Sequence, residues 1–459
     1  DEVLLLGSKP FQQDTLLSAK EVAAGINLKN LIFDGEVKID EIYVTDAYAN
    51  VFVNSKGQAN YNVYVPTPSD APKDTTSKGA SIKLDLIKFR NWHIRYDDHS
   101  AKVLVDAQGL NYTGKGGLSE DIFDLKTDLN VDKLDFSLDR IYYARQKSLH
   151  ADLITRINTH ALTFVLRKNE LRINNLPLKF TGFVSILKDG YDIDIKAASK
   201  KTTIRDMISV LPPQYLDWAN DTKLEGNSDL FFSLKGTFSE PRNIQPDFKA
   251  FLLVKDGTIS SGKAPVPMTN LNVDLNIDLP SLDVEQMTLD LKTLNFDLGK
   301  KDKFRAVIKT KGLSEMNVKA TVNGTLELQT LDKALGLKQI DMTGLMIANI
   351  RANGTFSMDK KLFPKTDGFI NLKDGWLKTT YYPNPIKNIN LTANINNADS
   401  TFAGLGVKIT PFRFDFEGNP VFISADLQNF EDLLYKVTAK GMLNVGRIYQ
   451  VFARKGLDV

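Results

Sequence analysis

The sequence predicts a mainly β protein, a long antiparallel meander of strands with a few short capping helices. Apolar and polar residues alternate along most of the chain, which is the period of a strand with one apolar face. Asp-Gly and Asn-Gly pairs, which favour tight connections, recur among these runs. Helical patterns are few and short. These observations favour strands joined by short connections over a helical architecture.

The alternation is clearest in the second half of the chain. Leu271, Val273 and Leu275 alternate with the polar residues Asn272 and Asp274. Similar runs occupy residues 287–298, 316–322, 389–395 and 412–416. Each predicted strand therefore has one apolar and one polar face.

A segment of the chain is duplicated at an offset of 118 residues, from Gly226–Ile277 to Gly344–Ile395. Sixteen of the 52 aligned positions are identical, whereas ordinary residue usage predicts roughly three. Both copies contain a Lys-Asp-Gly sequence followed by Pro-x-Pro. The duplication indicates a repeated structural unit.

Turns and helices are predicted from local signals. Helices are expected at 205–211, 331–335 and 447–452, each after a strand. The Asn-Gly pairs have the alternative of being bulges within strands. Tight turns are predicted at Asp34-Gly35, Asp189-Gly190, Asp256-Gly257, Asn323-Gly324, Asn353-Gly354 and Asp374-Gly375.

The domain organisation is predicted from the repeat and from a Pro-rich, polar stretch after residue 65. That stretch, 66–80, is expected to be a linker or flexible loop. The other predicted regions are an N-terminal β segment (1–65), a middle β region (81–225) and two C-terminal repeats (226–343 and 344–459).

Composition excludes several classes of function. The formal charge is 58 − 56 = +2, with basic and acidic residues interspersed, so no nucleic-acid partner is expected. The chain has no cysteine, which excludes disulfides, thiolate catalysis and cysteine-based metal sites. The sequence contains no run of about 18 apolar residues, the length that would predict a membrane-spanning helix.

Catalytic signatures are absent from the sequence. The four histidines lie at 93, 99, 150 and 160, without the spacing of a metal-binding helix. Asp97-Asp98-His99 is interpreted as a solvated turn. No nucleophile elbow or phosphate-binding loop occurs. We therefore predict no enzymatic activity, no metal and no cofactor apart from a possible bound phospholipid.

The apolar face of so large a sheet must be hidden, and three solutions are open. The sheet can pack on a second sheet as a β-sandwich, close on itself, or curl around a guest molecule. In the first case the alternating residues form an ordinary core. In the last they line a trough suited to an acyl chain.

Four stretches resemble the AsmA-like family of Gram-negative envelope proteins, particularly its Bacteroidota members. They are Val51–Val63, with its Gly-x-x-Asn-aromatic step, Phe89–Asp98, Phe248–Asn272 and Val318–Leu335. Their order along the chain carries the resemblance, which covers most of the sequence.

The resemblance implies a periplasmic protein whose long curled antiparallel sheet forms a β-groove (a taco-like sheet), related to TamB and to the bridge-like lipid transfer proteins. Such proteins are held in the inner membrane by an N-terminal helix, which is not part of this sequence. The implied function is transport of phospholipids toward the outer membrane and outer-membrane biogenesis, and the expected partners are phospholipids and an outer-membrane protein. The alternative is a scaffold or assembly factor for outer-membrane protein complexes that recruits a partner through a sheet edge.

The residues expected to line the groove are the apolar members of the repeated strands. A charge at Val273 or Leu391 is expected to reduce lipid occupancy. The predicted lining residues are Leu271, Val273, Leu275, Ile277, Met287, Leu289, Leu291, Ile389, Leu391, Ala393, Ile395, Phe412, Phe414 and Phe416.

Overall fold

The computed structural model describes residues 2–26, 38–63, 81–212, 222–261, 264–299, 302–335 and 340–452. The predicted linker at 66–80 lies outside these residues. Within them the chain forms 22 strands and three short α-helices, so the predicted mainly β class is confirmed.

The described chain forms two compact units. The N-terminal unit comprises Asp1–Thr202, Asp206–Asp217 and Ser233–Pro246, and the C-terminal unit comprises Thr203–Arg205, Trp218–Phe232 and Asp247–Val459. The boundary between the units divides β10, α1 and β11. The elements from the start of the chain to β11 are β1 (Val3–Leu6), β2 (Thr15–Ile26), β3 (Lys38–Val53), β4 (Ser81–Asp98), β5 (Val103–Lys115), β6 (Ile122–Leu138), β7 (Ile141–Asn158), β8 (Thr163–Ile173), β9 (Leu176–Leu187), β10 (Gly190–Thr203), α1 (Ile204–Ser209) and β11 (Thr222–Phe238).

The C-terminal unit contains eleven further described strands and two α-helices. Its further elements are β12 (Asp247–Ser261), β13 (Ala264–Leu279), a short 3-10 helix (Pro280–Leu282), β14 (Thr288–Leu298), β15 (Asp302–Lys311), β16 (Met316–Glu327), α2 (Leu328–Leu335), β17 (Ile340–Phe356), β18 (Lys365–Thr379), β19 (Ile386–Asn397), β20 (Leu405–Phe416), β21 (Asn419–Gln428), β22 (Leu434–Lys440) and α3 (Val445–Val451).

Strands pair with their sequence neighbours in antiparallel fashion throughout β4–β10 and β12–β22, as a meander. The pair β3–β4 departs from the predicted pattern because it is parallel, with Tyr43 beside Lys88 and Val51 beside Tyr96. A parallel pair needs a long return connection, and residues 54–80 provide it. Alternation alone does not reveal the direction of a strand.

Two of the predicted Asp-Gly turns are wrong. Asp256-Gly257 lies inside β12 and Asp374-Gly375 lies inside β18, and in both places the register with the next strand shifts. Asp256 and Asp374 have φ of 49° and 52°. Bulges use the same left-handed backbone conformation as tight turns. The Asp-Gly pairs therefore predict the correct backbone conformation, but it occurs inside a strand and not between two strands.

The remaining pairs have different outcomes. Asp189-Gly190 forms the predicted tight connection between β9 and β10. Asn323-Gly324 and Asn353-Gly354 lie within β16 and β17, whose mutual register runs through them without a shift. They therefore form neither turns nor bulges of this pair, although Gly354 has a φ of 141°. Asp34-Gly35 lies outside the described residues.

The three predicted helices are present as α1, α2 and α3, with ends that differ from the predictions by a few residues. The starts of α2 and α3 are each bound by a polar side chain. The Asn444 side-chain oxygen accepts from the backbone N–H of Arg447 at 3.0 Å and caps α3. The buried Asp302 carboxylate accepts from the N–H of Glu327 at 2.8 Å, next to the start of α2. Across the described ranges, no helix has the length and apolarity needed to cross a bilayer.

Candidate functional site

The predicted lining residues all lie in the C-terminal unit, in or beside β13, β14, β19 and β20. Residues directly opposite each other on neighbouring antiparallel strands project from the same face of a sheet. The strand registers therefore show which of these side chains share a face. We call the face that carries Val273 and its cross-strand partners the apolar face.

One row of cross-strand partners on this face crosses every strand from β12 to β22. It contains no charged residue and connects Val273 of the first repeat with Ile395 of the second. The row, called here the long row, consists of Val254, Val273, Leu294, Ala306, Val322, Ile350, Gly368, Ile395, Val407, Leu427 and Tyr435.

Parallel rows on either side of the long row are also largely apolar. The row through Leu275 contains Leu252, Leu275, Leu291, Ile308, Ala320 and Ala352. The row through Leu391 contains Leu326, Met346, Leu372, Leu391, Phe412, Ile423 and Ala439. The register thus places most of the predicted residues on one continuous surface.

The predicted residues differ in exposure. Twelve of the fourteen are partly exposed, and Phe414 and Phe416 are buried. Leu271 and Ile389 lie opposite the bulge glycines Gly257 and Gly375. In the core of a β-sandwich, the inward residues of both sheets interdigitate and are covered. Partial exposure of so many large aliphatic side chains favours a face that is open to a guest.

The opposite face of the same strands is polar. Asn276 lies opposite Asp290, and Asp290 lies opposite Lys309, with 4.0 Å between the charged atoms of the last two. Lys249 and Asp278 form an ion pair at 3.1 Å. Exposed pairs of this kind contribute little to stability. They keep this face in water, so the sheet is amphipathic across its thickness.

The two repeats have the same close contact between two glycine backbones at equivalent positions. A Cβ added at Gly226 would lie 2.7 Å from the Cα of Gly257, and one added at Gly344 would lie 2.7 Å from the Cα of Gly375. These four glycines let β11 approach β12, and β17 approach β18, at the bulges. No larger residue fits without a backbone shift.

The bulges are also fixed by the same hydrogen bonds in both repeats. The Asn272 side-chain oxygen accepts from the N–H of Asp256 at 3.1 Å, and that of Asn390 accepts from the N–H of Asp374 at 3.2 Å. Bulges increase the local twist and bend a strand. The recurring Asn and Gly residues therefore place a bend at the same point of each repeat.

Helix α2 packs against β13 and β17 more extensively than against β14 and β16 between them. Thr330 of α2 lies near Gly299 at the end of β14. Contact with the outer strands of the set is the arrangement expected where a sheet is concave. Within the C-terminal unit, α2 therefore spans one part of the curved sheet.

The apolar face is covered near β19–β21 by helix α3. Val451 of α3 is fully buried against Phe414 and Phe416. We call this set the end cluster, and its buried members are Tyr382, Ile386, Phe414, Phe416, Val421 and Val451. The Thr379 hydroxyl donates to the carbonyl of Val451 at 2.6 Å, which fixes the end of α3 on β18.

An ionic contact also holds α3. The Tyr382 hydroxyl donates to the Glu417 carboxylate at 2.6 Å, and Arg447 of α3 donates to both Glu417 oxygens at 3.1 and 3.2 Å. The Tyr382 hydrogen bond, with the Arg447 contact, lowers the pKa of Glu417. The same carboxylate raises the pKa of Tyr382. At neutral pH, Glu417 is therefore ionised, while Tyr382 and Arg447 keep the protons that they donate to it.

The N-terminal unit carries an apolar row that sequence reasoning did not select. The alternation in residues 149–157 is a signal that could have indicated it. The row crosses β2–β9 and contains Val22, Val44, Phe89, Tyr112, Leu129, Ala151, Leu171 and Leu178.

A buried lysine interrupts the same face of the N-terminal unit. Lys147 lies opposite Leu134 and donates to the carbonyl of Ser209, the last residue of α1, at 2.6 Å. The Asn174 amide donates to the same carbonyl at 2.9 Å. Burial lowers the pKa of Lys147. A cation at the C-terminus of a helix is a favourable structural arrangement.

The predicted solvated turn begins only at His99, because Asp97 and Asp98 are the last residues of β4 and Asp98 is buried. The Asp98 carboxylate accepts from the backbone N–H groups of Ser100 and Ala101 at 2.9 and 2.8 Å. The Ser100 hydroxyl and these backbone bonds lower the pKa of Asp98. Asp97 contacts Arg95 at 2.6 Å and His99 at 3.2 Å. In the described part of the chain, no three His, Asp or Glu residues converge on a metal position.

Comparisons with known proteins give no relative: no family model, no curated protein and no solved structure matches this chain. The resemblance to the AsmA-like family therefore stays a prediction.

Proposed function

We propose that this chain is a non-enzymatic protein that shelters phospholipid acyl chains on its apolar face and conducts them along it. The long row supports this proposal. It crosses eleven consecutive strands without a charged side chain. The polar face and the strand ends remain in water, where head groups are stable.

The energetics favour acyl chains as the guest. Removing one methylene from water contributes roughly 0.8 kcal/mol, so even partial burial of a long acyl chain contributes several kcal/mol. A face of Val, Leu and Ile makes no directional bonds. A bound chain therefore meets no polar group that would hold it at one strand, and it can move from row position to row position.

The location and partners are proposed from the resemblance. An AsmA-like protein would act in the periplasm of a Gram-negative bacterium, tethered to the inner membrane by a segment outside this sequence. It would pass phospholipid toward the outer membrane, where an outer-membrane protein would receive it.

Lipid mass spectrometry tests the proposal. The protein is purified without detergent, extracted with organic solvent, and compared with an unrelated periplasmic β-protein prepared in parallel. Phospholipid enriched over that blank is the expected result. A folded protein without phospholipid would contradict the proposal.

A matched pair of variants locates the lipid. Val322→Asp places a charge in the long row, and Thr321→Asp places the same charge on the adjacent residue of β16, which projects from the polar face. We expect Val322→Asp to reduce phospholipid per protein by at least about fivefold, since burying an unpaired carboxylate costs several kcal/mol. Thr321→Asp is expected to leave the lipid content unchanged.

A further inference from the structure

The last strand of the C-terminal unit has an open edge. Among the described residues, β22 pairs with β21 and with no second strand. Its apolar side chains are strongly exposed, with Leu434 at 60%, Tyr435 at 71% and Val437 at 52%. An edge strand of this kind presents unpaired N–H and C=O groups to another strand.

The two faces of β22 continue those of the sheet. Tyr435, Val437 and Ala439 lie opposite Leu427, Ala425 and Ile423, so they belong to the apolar face. Leu434, Lys436, Thr438 and Lys440 project from the polar face. A strand that adds to this edge must keep both faces continuous, which requires an odd-numbered residue opposite each odd-numbered residue of β22.

We propose that β22 is a self-association edge, at which a second copy of this chain pairs antiparallel about a two-fold axis with Val437 opposite Val437 of the second copy. Such an interface is isologous, the commonest kind in homodimers. The proposal depends only on the edge and its sequence, and it is independent of lipid binding.

The lysines select this register. Centring the pair on Lys436 would place that residue opposite itself, and centring it on Thr438 would place Lys436 opposite Lys440. Like charges directly opposite each other are destabilising. The register centred on Val437 pairs all seven residues of β22 and places no two lysines opposite each other.

Side-chain size fits the same register. Tyr435 lies opposite Ala439 of the second copy, so a large residue meets a small one on both sides of the axis. Lys436 lies opposite Thr438, and Lys440 lies opposite Leu434. The apolar faces of the two copies would then be continuous across the axis.

The expected association is weak. A seven-residue edge buries less surface than the roughly 1,200 Å² at the low end of specific, stable interfaces. We therefore expect a monomer–dimer equilibrium in the micromolar range, which sedimentation velocity detects as a concentration-dependent increase in the sedimentation coefficient.

Cysteine cross-linking tests the register directly, because the chain has no cysteine of its own. Val437→Cys places two thiols opposite each other, at about 4.5–5.5 Å between Cα atoms, within the range of a disulfide. Lys436→Cys is the matched control. Position 436 of one copy lies opposite position 438 of the other, so the two positions 436 are displaced by two residues and their Cα atoms are more than about 7 Å apart. We expect Val437→Cys to form a disulfide dimer under mild oxidation at least about tenfold faster.

A mixing experiment adds a second check of the same register. Tyr435→Cys and Ala439→Cys, each slow to cross-link alone, are expected to form a mixed disulfide when combined. Equal cross-linking at 436 and 437, or no mixed disulfide, would overturn the proposed register.

Val437→Lys tests the association without cross-linking. It places a positive charge opposite itself in the dimer, while the site is half exposed in the monomer. Val307→Lys, on exposed Val307 of the interior strand β15, is the control. We expect the first variant to be monomeric and the second to associate like the unmodified protein. A protein that stays monomeric up to about 100 μM, which is about 2.8 kcal/mol weaker than a dissociation constant of about 1 μM, would overturn the proposal.

Discussion

The apolar face of the C-terminal unit has two parts that share a sequence pattern and differ in burial. On β13–β17, Val273, Leu291 and Val322 are partly exposed. At the end cluster, Phe414 is 3% exposed and Phe416 is 1% exposed. The difference is how completely each part is covered. Helix α3 packs on the end cluster through Val451, whereas α2 contacts mainly β13 and β17 and leaves these three side chains partly exposed. Alternation thus fixes which side of a strand is apolar, and a separate element decides whether that side is a core or a free surface.

The largest effect expected from this comparison is on stability. Phe416→Ala removes a buried ring from the end cluster and should cost about 3–5 kcal/mol of unfolding free energy. Leu291→Ala removes a partly exposed side chain from the open part and should cost about 1 kcal/mol. Urea unfolding followed by hydrogen exchange, in β19–β21 for Phe416→Ala and in β14 for Leu291→Ala, measures the two values. Equal costs at the two positions would contradict the assigned difference in cover.

An intermediate effect is expected at the repeated bulges. Gly344→Ala would bring a Cβ to 2.7 Å from the Cα of Gly375 at a φ of 120°. We expect a loss of about 2–3 kcal/mol from this strain and steric overlap. Gly418→Ala, at a φ of 82° with no atom within 4 Å of the added Cβ, should cost only about 1 kcal/mol.

The equivalent glycine of the first repeat extends this prediction. Gly226→Ala should behave like Gly344→Ala, because its Cβ would meet the Cα of Gly257 at the same distance. A Gly226→Ala protein as stable as Gly418→Ala would show that the two repeats do not share the bulge constraint.

The smallest effect concerns pH at the end cluster. The pKa of Glu417 is lower in the folded state than its ordinary value, so folding favours the ionised carboxylate. Its contribution is present above the unfolded pKa, ordinarily about 4.3, and is lost as the pH falls through the lowered folded pKa. We expect a small acid-induced fall in the thermal midpoint that Glu417→Gln lacks.

The measurement is a series of melts of both proteins between about pH 7 and pH 3, across the ordinary carboxylate range. Other carboxylates with lowered pKa, including Asp283 and Asp399, affect both proteins alike. The difference between the two curves therefore isolates Glu417. Identical acid dependence would contradict a stabilising role for its contacts with Tyr382 and Arg447.

Local patterns predicted the strands well because a period of two depends on neighbouring residues alone. The faces of Val273 and Leu391 follow from that period, and the register places both on one surface. The burial of Phe414 and Phe416 could not be read in the same way, because it depends on Val451, which is distant in sequence.

Two other differences have equally physical causes. Asp256-Gly257 and Asp374-Gly375 carry the signal for positive φ, which turns and bulges share. The parallel pairing of β3 with β4 leaves no mark in the alternation of either strand. The sequence thus predicts the positive φ at Asp256 and Asp374. It does not show that these residues lie inside strands or that β3 and β4 run parallel.

Photo-cross-linking in cells tests most directly whether lipid occupies the open part of the apolar face. A photoreactive amino acid is placed at Val322, at Thr321 on the opposite face of the same strand, and at Phe414 beneath α3. The account predicts labelled phospholipid attached at position 322, little at 321, and little at 414 while α3 is in place. Equal labelling at 321 and 322, or none at 322 in a folded protein, would contradict it.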